Sequence, residues 1–558
     1  GVSSRFNPAL THPTSAPSLR SYQFQHHRNM PLVDIQQLST EITQKFANIS
    51  IVRSFWTSRS QANSAARPQT VSAFVVCAYV KLSAPDSLRE TLDQWIKILS
   101  GAESFQNVRH LKLLPVKVVP ISRRLPDCGD RPLNTWQYFP AIYPSIQTLQ
   151  HDSEWQQLAH FIRKLPGMLD LTWGCMEQIA PCVLKALHDE RPTCRLDLQS
   201  FLLRSLVQLP SQPIVIDSYE LELATSPCLH SLALRYDYLD SDGNANYNED
   251  AVADMVAVMT PNLRKVSLLF ESSGNSPARV RSLRVPRRRG RGDEMRQRSS
   301  MNKLGALTWL ELCVIRTGRM LRLWSNKTES SAHGVLKLHS SVNASDLQWL
   351  TKYCRLPSLH TLVISPENDR ERNMGQKELY SATQGFLRSL PGLVYLKMFG
   401  EFDEETLRVA VETHGRVLQH LLLSHVDIPE EEHGWILSGK ILTQIWDCCP
   451  VLQELAIPLQ RSMGNTDELA RYTTLGSFRM IRRIHLFLDC SRVCDAGQTV
   501  LSDFDTHARE GNKELGDTEI RKLLETTLLT RNWRRVSSKQ SPALDSRTHL
   551  RFSASKSG

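Results

Sequence analysis

The sequence has no run of 18 or more apolar residues, and its nearest approach, "VSAFVVCAYVKL" at residues 71–82, is interrupted by Lys81. A helix that crosses a bilayer needs about 20 apolar residues, so no helical span is expected. Cysteine is sparse and scattered, 12 in 558 residues, which argues against a disulfide framework and fits a reducing compartment. No G-x-S-x-G elbow and no H-E-x-x-H pair occurs, so neither an activated serine nor a zinc helix of that kind is written into the chain. The first 30 residues lack a charged stretch followed by an apolar one. A cytoplasmic or nuclear location is therefore expected, and Asn48, Asn326 and Asn343, each in an N-x-[ST] tripeptide, read as chance matches.

Three further motifs fail on detail. "GWILSGK", from Gly434 to Lys440, has the spacing of a phosphate-binding loop, but Ile441 stands where the magnesium-binding hydroxyl belongs and its bulky residues suit a helix face. "DSDGNANYNED", from Asp240 to Asp250, has Ala245 in place of the loop glycine and Ala251 at position twelve, so a polar loop capped by Asn248 is preferred to a calcium site. Cys490 and Cys494 have no second pair at ligand spacing, and His26-His27 lies in a polar tail. No catalytic residue, metal or cofactor is expected.

The net charge of +10 suggests nucleic acid until it is located. Residues 279–298 hold nine arginines against Asp293 and Glu294; residues 1–30 hold three arginines and no acid; residues 531–558 hold seven basic residues against Asp545. These stretches account for +16, so the rest of the chain carries about −6. Basicity sits in tails and one insertion, and nucleic-acid binding by the folded body is disfavoured. The arginine-rich stretch reads equally as a nuclear import signal or a solvated insertion.

What the chain does contain is a repeat. "RLPSLHTLVIS" and "SLPGLVYLKMF" share one skeleton, apolar-x-x-apolar-x-apolar, and the skeleton recurs ten times, with middle residues Leu111, Leu171, Leu232, Val266, Leu310, Leu362, Leu396, Leu421, Leu455 and Ile484. The last five are 25 to 34 residues apart, room for a strand, a turn and a helix that returns the chain parallel to its predecessor. Helical periodicity fills several intervals, at Gln376–Leu390, Glu404–Gly415 and Gly434–Cys449. "CRLDLQSF" near Cys194 is a weak further copy. The fold class is α/β, either a leucine-rich repeat solenoid or an ordinary doubly wound sheet. The shared leucine spacing favours the solenoid, because stacked coils need the same inward residues.

With "CCPVLQELAI" and "TSPCLHSLALRYDYLDSDGNANYNEDAV", the chain resembles the fungal F-box and leucine-rich repeat proteins over roughly residues 105–490. That resemblance implies parallel strands on a concave face, helices on the convex face, and an N-terminal helical module that docks on the Skp adaptor of a cullin-RING ubiquitin ligase. Leu38, Glu41, Ile42 and Phe46 match its opening, and "SFWTSRS" at residues 54–60 resembles a later segment. Ser39 replaces the expected proline, and an ordinary amphipathic helix is an equal reading. The implied function is a non-enzymatic adaptor for a ligase; the alternative is a repeat scaffold with no ubiquitin link.

If the leucines face inward, residues beside them face a protein partner. This places Arg235, Trp309, Glu311, Tyr395, Lys397, Phe399, His420, Arg483, His485 and Phe487 on the binding face. The expected organisation is a disordered tail (1–30), a degenerate docking module (31–60), a helical linker (61–104), the repeats (105–490) with a basic insertion (277–303), and a C-terminal helix with a basic disordered tail (491–558).

Overall fold

A computed structural model of the chain describes residues 76–556 except 83–84, 102–104, 116–151, 176, 209–214, 237–243, 271–304, 314–316, 369–374, 425–436, 461–465, 490–532 and 541–548. The proposed docking module, with Leu38, Glu41, Ile42 and Phe46, lies outside these residues, as do the basic insertion and the helix expected at residues 517–529.

Strands β1 (Val76–Leu82), β2 (Val108–Pro115), β3 (Asp170–Trp173), β4 (Arg195–Phe201), β5 (Val207–Gln208), β6 (Leu229–Tyr236), β7 (Ala245–Asn246) and β8 (Lys265–Phe270) make up the first half of the described chain. They are followed by β9 (Trp309–Cys313), β10 (Val335–Val342), β11 (Thr361–Pro366), β12 (Tyr395–Phe399), β13 (His420–Ser424), β14 (Glu454–Gln460), β15 (Arg483–Asp489), β16 (Trp533–Gln540) and β17 (His549–Lys556). All but β5 and β7 belong to one 15-stranded sheet. Its strands from β1 to β15 pair in parallel and in chain order. A doubly wound sheet reverses its order at a switch point; monotonic order is what a solenoid produces, each coil meeting only its neighbours.

The repeat is also visible in the backbone. From β8 to β14 the carbonyl of the residue just before each strand accepts two successive N–H groups of the next coil. Arg264 O accepts from Thr308 and Trp309, and the series continues through Thr308, Gly334, His360, Val394 and Gln419 to Gln453 O, which accepts from Arg482 and Arg483. Both lone pairs of each carbonyl are used, so the strand starts are locked to one another. Below them the middle leucines stack in register, Leu310 beside Leu336, Leu336 beside Leu362, and so on to Leu455 beside Ile484, and each is at most 3% exposed. A buried leucine contributes about 1.5–3 kcal/mol relative to an exposed one, so each rung of this ladder adds appreciably to stability.

Helices close the coils where periodicity and caps agree. Gln376–Ser389 buries Leu379, Phe386 and Leu387. Glu404–His414 is capped by Asp403, whose carboxylate accepts the Thr406 N–H. Gly439–Cys448 starts later than expected because Ser438 caps it, accepting the Ile441 N–H. Leu437 and Leu442 are fully buried there, so this segment packs as a coil. A glycine is required at Gly400, where φ is +113° and a Cβ would come within 2.4 Å of the Pro366 carbonyl oxygen.

Four expectations need correction. The region assigned as a helical linker contains β1 and the helix Pro85–Gly101, so the sheet begins upstream of residue 105. The long step from Leu310 to Leu362, room for a degenerate repeat or an insertion, holds a coil centred on Leu336 that the skeleton did not place: its first inward residue is His333, not an aliphatic residue, and it is 5% exposed. The ring satisfies its polarity internally, through Nδ1 on the Leu307 carbonyl and Nε2 on the Thr328 hydroxyl. Residues 533–540 and 549–556, expected in a disordered tail, form an antiparallel pair, and β17 lies antiparallel on β15. This covers an edge that would otherwise present unpaired backbone groups. Asn248 is not a cap but the first residue of the helix Asn248–Asp254; fully buried, its side chain accepts from Leu203 N and donates to Leu203 O.

Candidate functional site

The sheet face away from the leucine ladder carries side chains in rows set by the parallel register. The leading row, from β8 to β15, is Lys265, Trp309, Val335, Thr361, Tyr395, His420, Glu454 and Arg483. Two residues further along each strand, the second row is Ser267, Glu311, Lys337, Val363, Lys397, Leu422, Ala456 and His485. These rows differ in accessibility. Lys265 and Arg483 are exposed, and Trp309, Thr361, Tyr395 and His420 are half-buried. In the second row Glu311, Val363 and Lys397 are at most 3% exposed, and Lys337 8%. Same-register neighbours about 4.8 Å away flank each of them. The long side chains also lie along the face: Lys337 Nζ is 4.6 Å from the centre of the Trp309 ring, and Lys397 Nζ is 5.5 Å from that of Phe399.

The sequence-predicted residues therefore divide. Trp309 and Tyr395 stand at an accessible row, the first between Lys265 and Lys337, the second 5.6 Å from the His420 ring. Glu311, Lys397 and Phe399 face the expected side but are buried, with Phe399 6% exposed; neighbouring side chains close over positions that alternation alone would leave open. Arg235 and Phe487 occupy the register beside Leu269 and Pro458, and their side chains lie outside the described ones.

His420, Arg483 and His485 form a cluster around a residue not anticipated, Glu454. One carboxylate oxygen meets His420 Nδ1 at 3.0 Å and accepts from Arg483 Nη2 at 2.8 Å; the other meets His485 Nε2 at 3.2 Å. Burial alone would raise the Glu454 pKa, but the histidine hydrogen bonds and the arginine charge outweigh it and hold the carboxyl at about 2. Glu311 is treated in the same way two coils from the face's centre. It takes hydrogen bonds from Ser267 Oγ at 2.8 Å and His339 Nε2 at 2.9 Å; despite burial these contacts and Lys337 bring its pKa to about 2. Nearer the N-terminal end, Asp170 bridges His110 and Arg195. Each carboxylate spans adjacent strands. Glu454 could have been found by the rule that selected Arg483, since it precedes Leu455 as Arg483 precedes Ile484; Lys265 precedes Val266 in the same way.

Burial pushes the thiols of Cys182, Cys194 and Cys449 up to about 12, where a thiolate nucleophile is scarce at neutral pH. Among the described residues, no group of three or more His, Cys, Asp or Glu side chains is arranged to hold a metal, and no helix is long and apolar enough to cross a membrane.

No family model and no curated protein matches the sequence. Among solved structures, a chain of the crystal structure of the yeast Rad7 and Elc1 complex is similar at 12% identity and a TM-score of 0.29, over 81% of this chain and 85% of that one.

Proposed function

We propose that the chain is a protein-interaction adaptor whose repeats hold a segment of a partner protein on the strand face, with Trp309, Thr361 and Tyr395 at the contact. The observation that carries this reading is the leading row: accessible aromatic and basic side chains held at fixed register by a backbone whose carbonyls are already satisfied. Aromatic and arginine side chains on a rigid frame supply contact area at little entropic cost. A photo-crosslinking amino acid at Thr361 should give discrete protein adducts in cells, and the same group at exposed Lys185 on the opposite, helical side should not. Adducts of equal yield at both positions, or at neither, would rule the face out.

The ligase part of the proposal rests on the sequence alone, on Leu38, Glu41, Ile42 and Phe46. Purified Skp adaptor should be retained by the full chain and lost on Ile42→Asp with Phe46→Asp. Failure of the unaltered chain to retain it would leave a repeat scaffold without a ubiquitin link.

A further inference from the structure

Each strand from β8 to β15 begins with a leading-row residue, preceded by the residue whose carbonyl locks the coils. Together these make a ribbon of two residues on each of eight strands. Its charges are unevenly placed: Arg264 and Lys265 at one end, Arg482 and Arg483 at the other, and one acid, Glu454. That acid is 8% exposed and already held by His420, Arg483 and His485. Lys265 and Arg482 are exposed. Between the two basic ends lie Trp309 and Tyr395, both half-buried. No carboxylate on the ribbon is left to repel an anion, and the carbonyls from Arg264 to Gln453 that precede the strands are occupied, so recognition falls to side chains.

We infer that this ribbon takes an extended acidic segment of a partner protein, laid across the strands with carboxylates at both ends and uncharged residues over Trp309 and Tyr395. The inference rests on the adaptor reading above and gives its partner a chemistry. Seven strand spacings of about 4.8 Å make about 34 Å, which roughly ten extended residues cover. The cations sit at the two ends with no fully charged partner for phosphates between, whereas a single-stranded nucleic acid would be followed by a continuous basic track. Charge at both ends with an aromatic middle therefore favours a peptide.

Fluorescence polarisation with the full chain can use a labelled peptide of about twelve residues, glutamate-rich at both ends with a Gly-Ser-Tyr centre. Its glutamine-ended counterpart and a thymidine oligonucleotide of similar length complete the set. The acidic peptide should bind, weaken between about 50 and 200 mM salt, and lose about tenfold in affinity on Lys265→Glu with Arg482→Glu. Lys185→Glu should change nothing. Equal binding of the glutamine-ended peptide, indifference to the double reversal, or preference for the oligonucleotide would each overturn the acidic assignment. If crosslinks form at position 361 while the acidic peptide fails, the adaptor reading survives and this inference does not. If both fail, both fall.

Discussion

Replacing Glu311 with leucine should cost about 3–5 kcal/mol, the usual cost of removing one member of a buried charged cluster, although its volume would be nearly conserved. The carboxylate is 1% exposed and lies among Ser267, His339 and Lys337. Taking it away leaves the Lys337 ammonium, on a residue 8% exposed, without the carboxylate it interacts with, and it is this uncompensated cation that carries the cost. A second substitution, Lys337→Leu, should therefore return much of the loss, because a buried pair exchanged for apolar groups of similar size is often neutral. Solenoids can unfold in parts, so a single melting temperature is a poor readout. Hydrogen exchange resolved by peptide should show faster exchange in β8, β9 and β10 for Glu311→Leu and recovery in the double variant. Unchanged protection in the single variant would mean that the cluster contributes nothing.

The second large effect comes from pH and from His414. Its ring ends the helix Glu404–His414 with no exposure at all. Neither ring nitrogen has a partner in hydrogen-bonding geometry; the nearby carbonyls of Pro391 and Leu387 offset only part of the burial, which lowers the pKa to about 4. In the unfolded chain the ring titrates near 6.5. The unfolded state thus takes up a proton between pH 6.5 and 4 while the folded state does not, and stability present above 6.5 is lost across that window. At 1.36 kcal/mol per pKa unit the loss is about 3 kcal/mol. Burial of Glu311 and Glu454 in their ionised form acts lower down: with folded pKa values near 2, their contribution is present above about 4.5 and lost as pH falls towards 2. Acid unfolding should accordingly have two phases. His414→Leu should shrink the upper one, measured as the change in urea midpoint between pH 7 and pH 5, leaving the part due to His333 and His230, whose pKa values burial also lowers, and leave the lower one in place. A variant that keeps the full upper phase would show that another group is responsible.

Much of the fold can be read from the sequence because a solenoid repeats its core residues. The skeleton around Leu362 and Leu396 predicts two strands, and both are found side by side with those leucines in contact register. The weak copy near Cys194 is a true strand as well. Where the reading did not place a coil, the inward position held a polar residue: His333 is satisfied by the nearby Thr328 hydroxyl and by the Leu307 carbonyl, 26 residues away, which becomes a neighbour only after the coils stack. β1 was missed because Ala78 stands where the other copies carry Leu, Val or Ile, so the strand lacks the leucine skeleton although it pairs with the next copy at Leu111.

The strand face carrying the residues picked from the sequence was legible in direction but not in depth. Alternation along a strand is a local property, so the chain itself determined which side chains leave the leucine ladder, and Trp309, Tyr395, His420 and Arg483 are indeed on that side. Accessibility and pairing were decided by the tertiary structure. Whether Glu311 reaches His339, or Glu454 gathers His420, Arg483 and His485, depends on which coils lie adjacent and in what register. Those contacts join residues 28 to 34 positions apart. Spacing within one repeat carries no information about them; they exist because parallel strands at about 4.8 Å bring equivalent positions together. The sequence alone determined the repeat and its inward leucines, and stacking decided which charges are buried in clamps and which remain open to solvent.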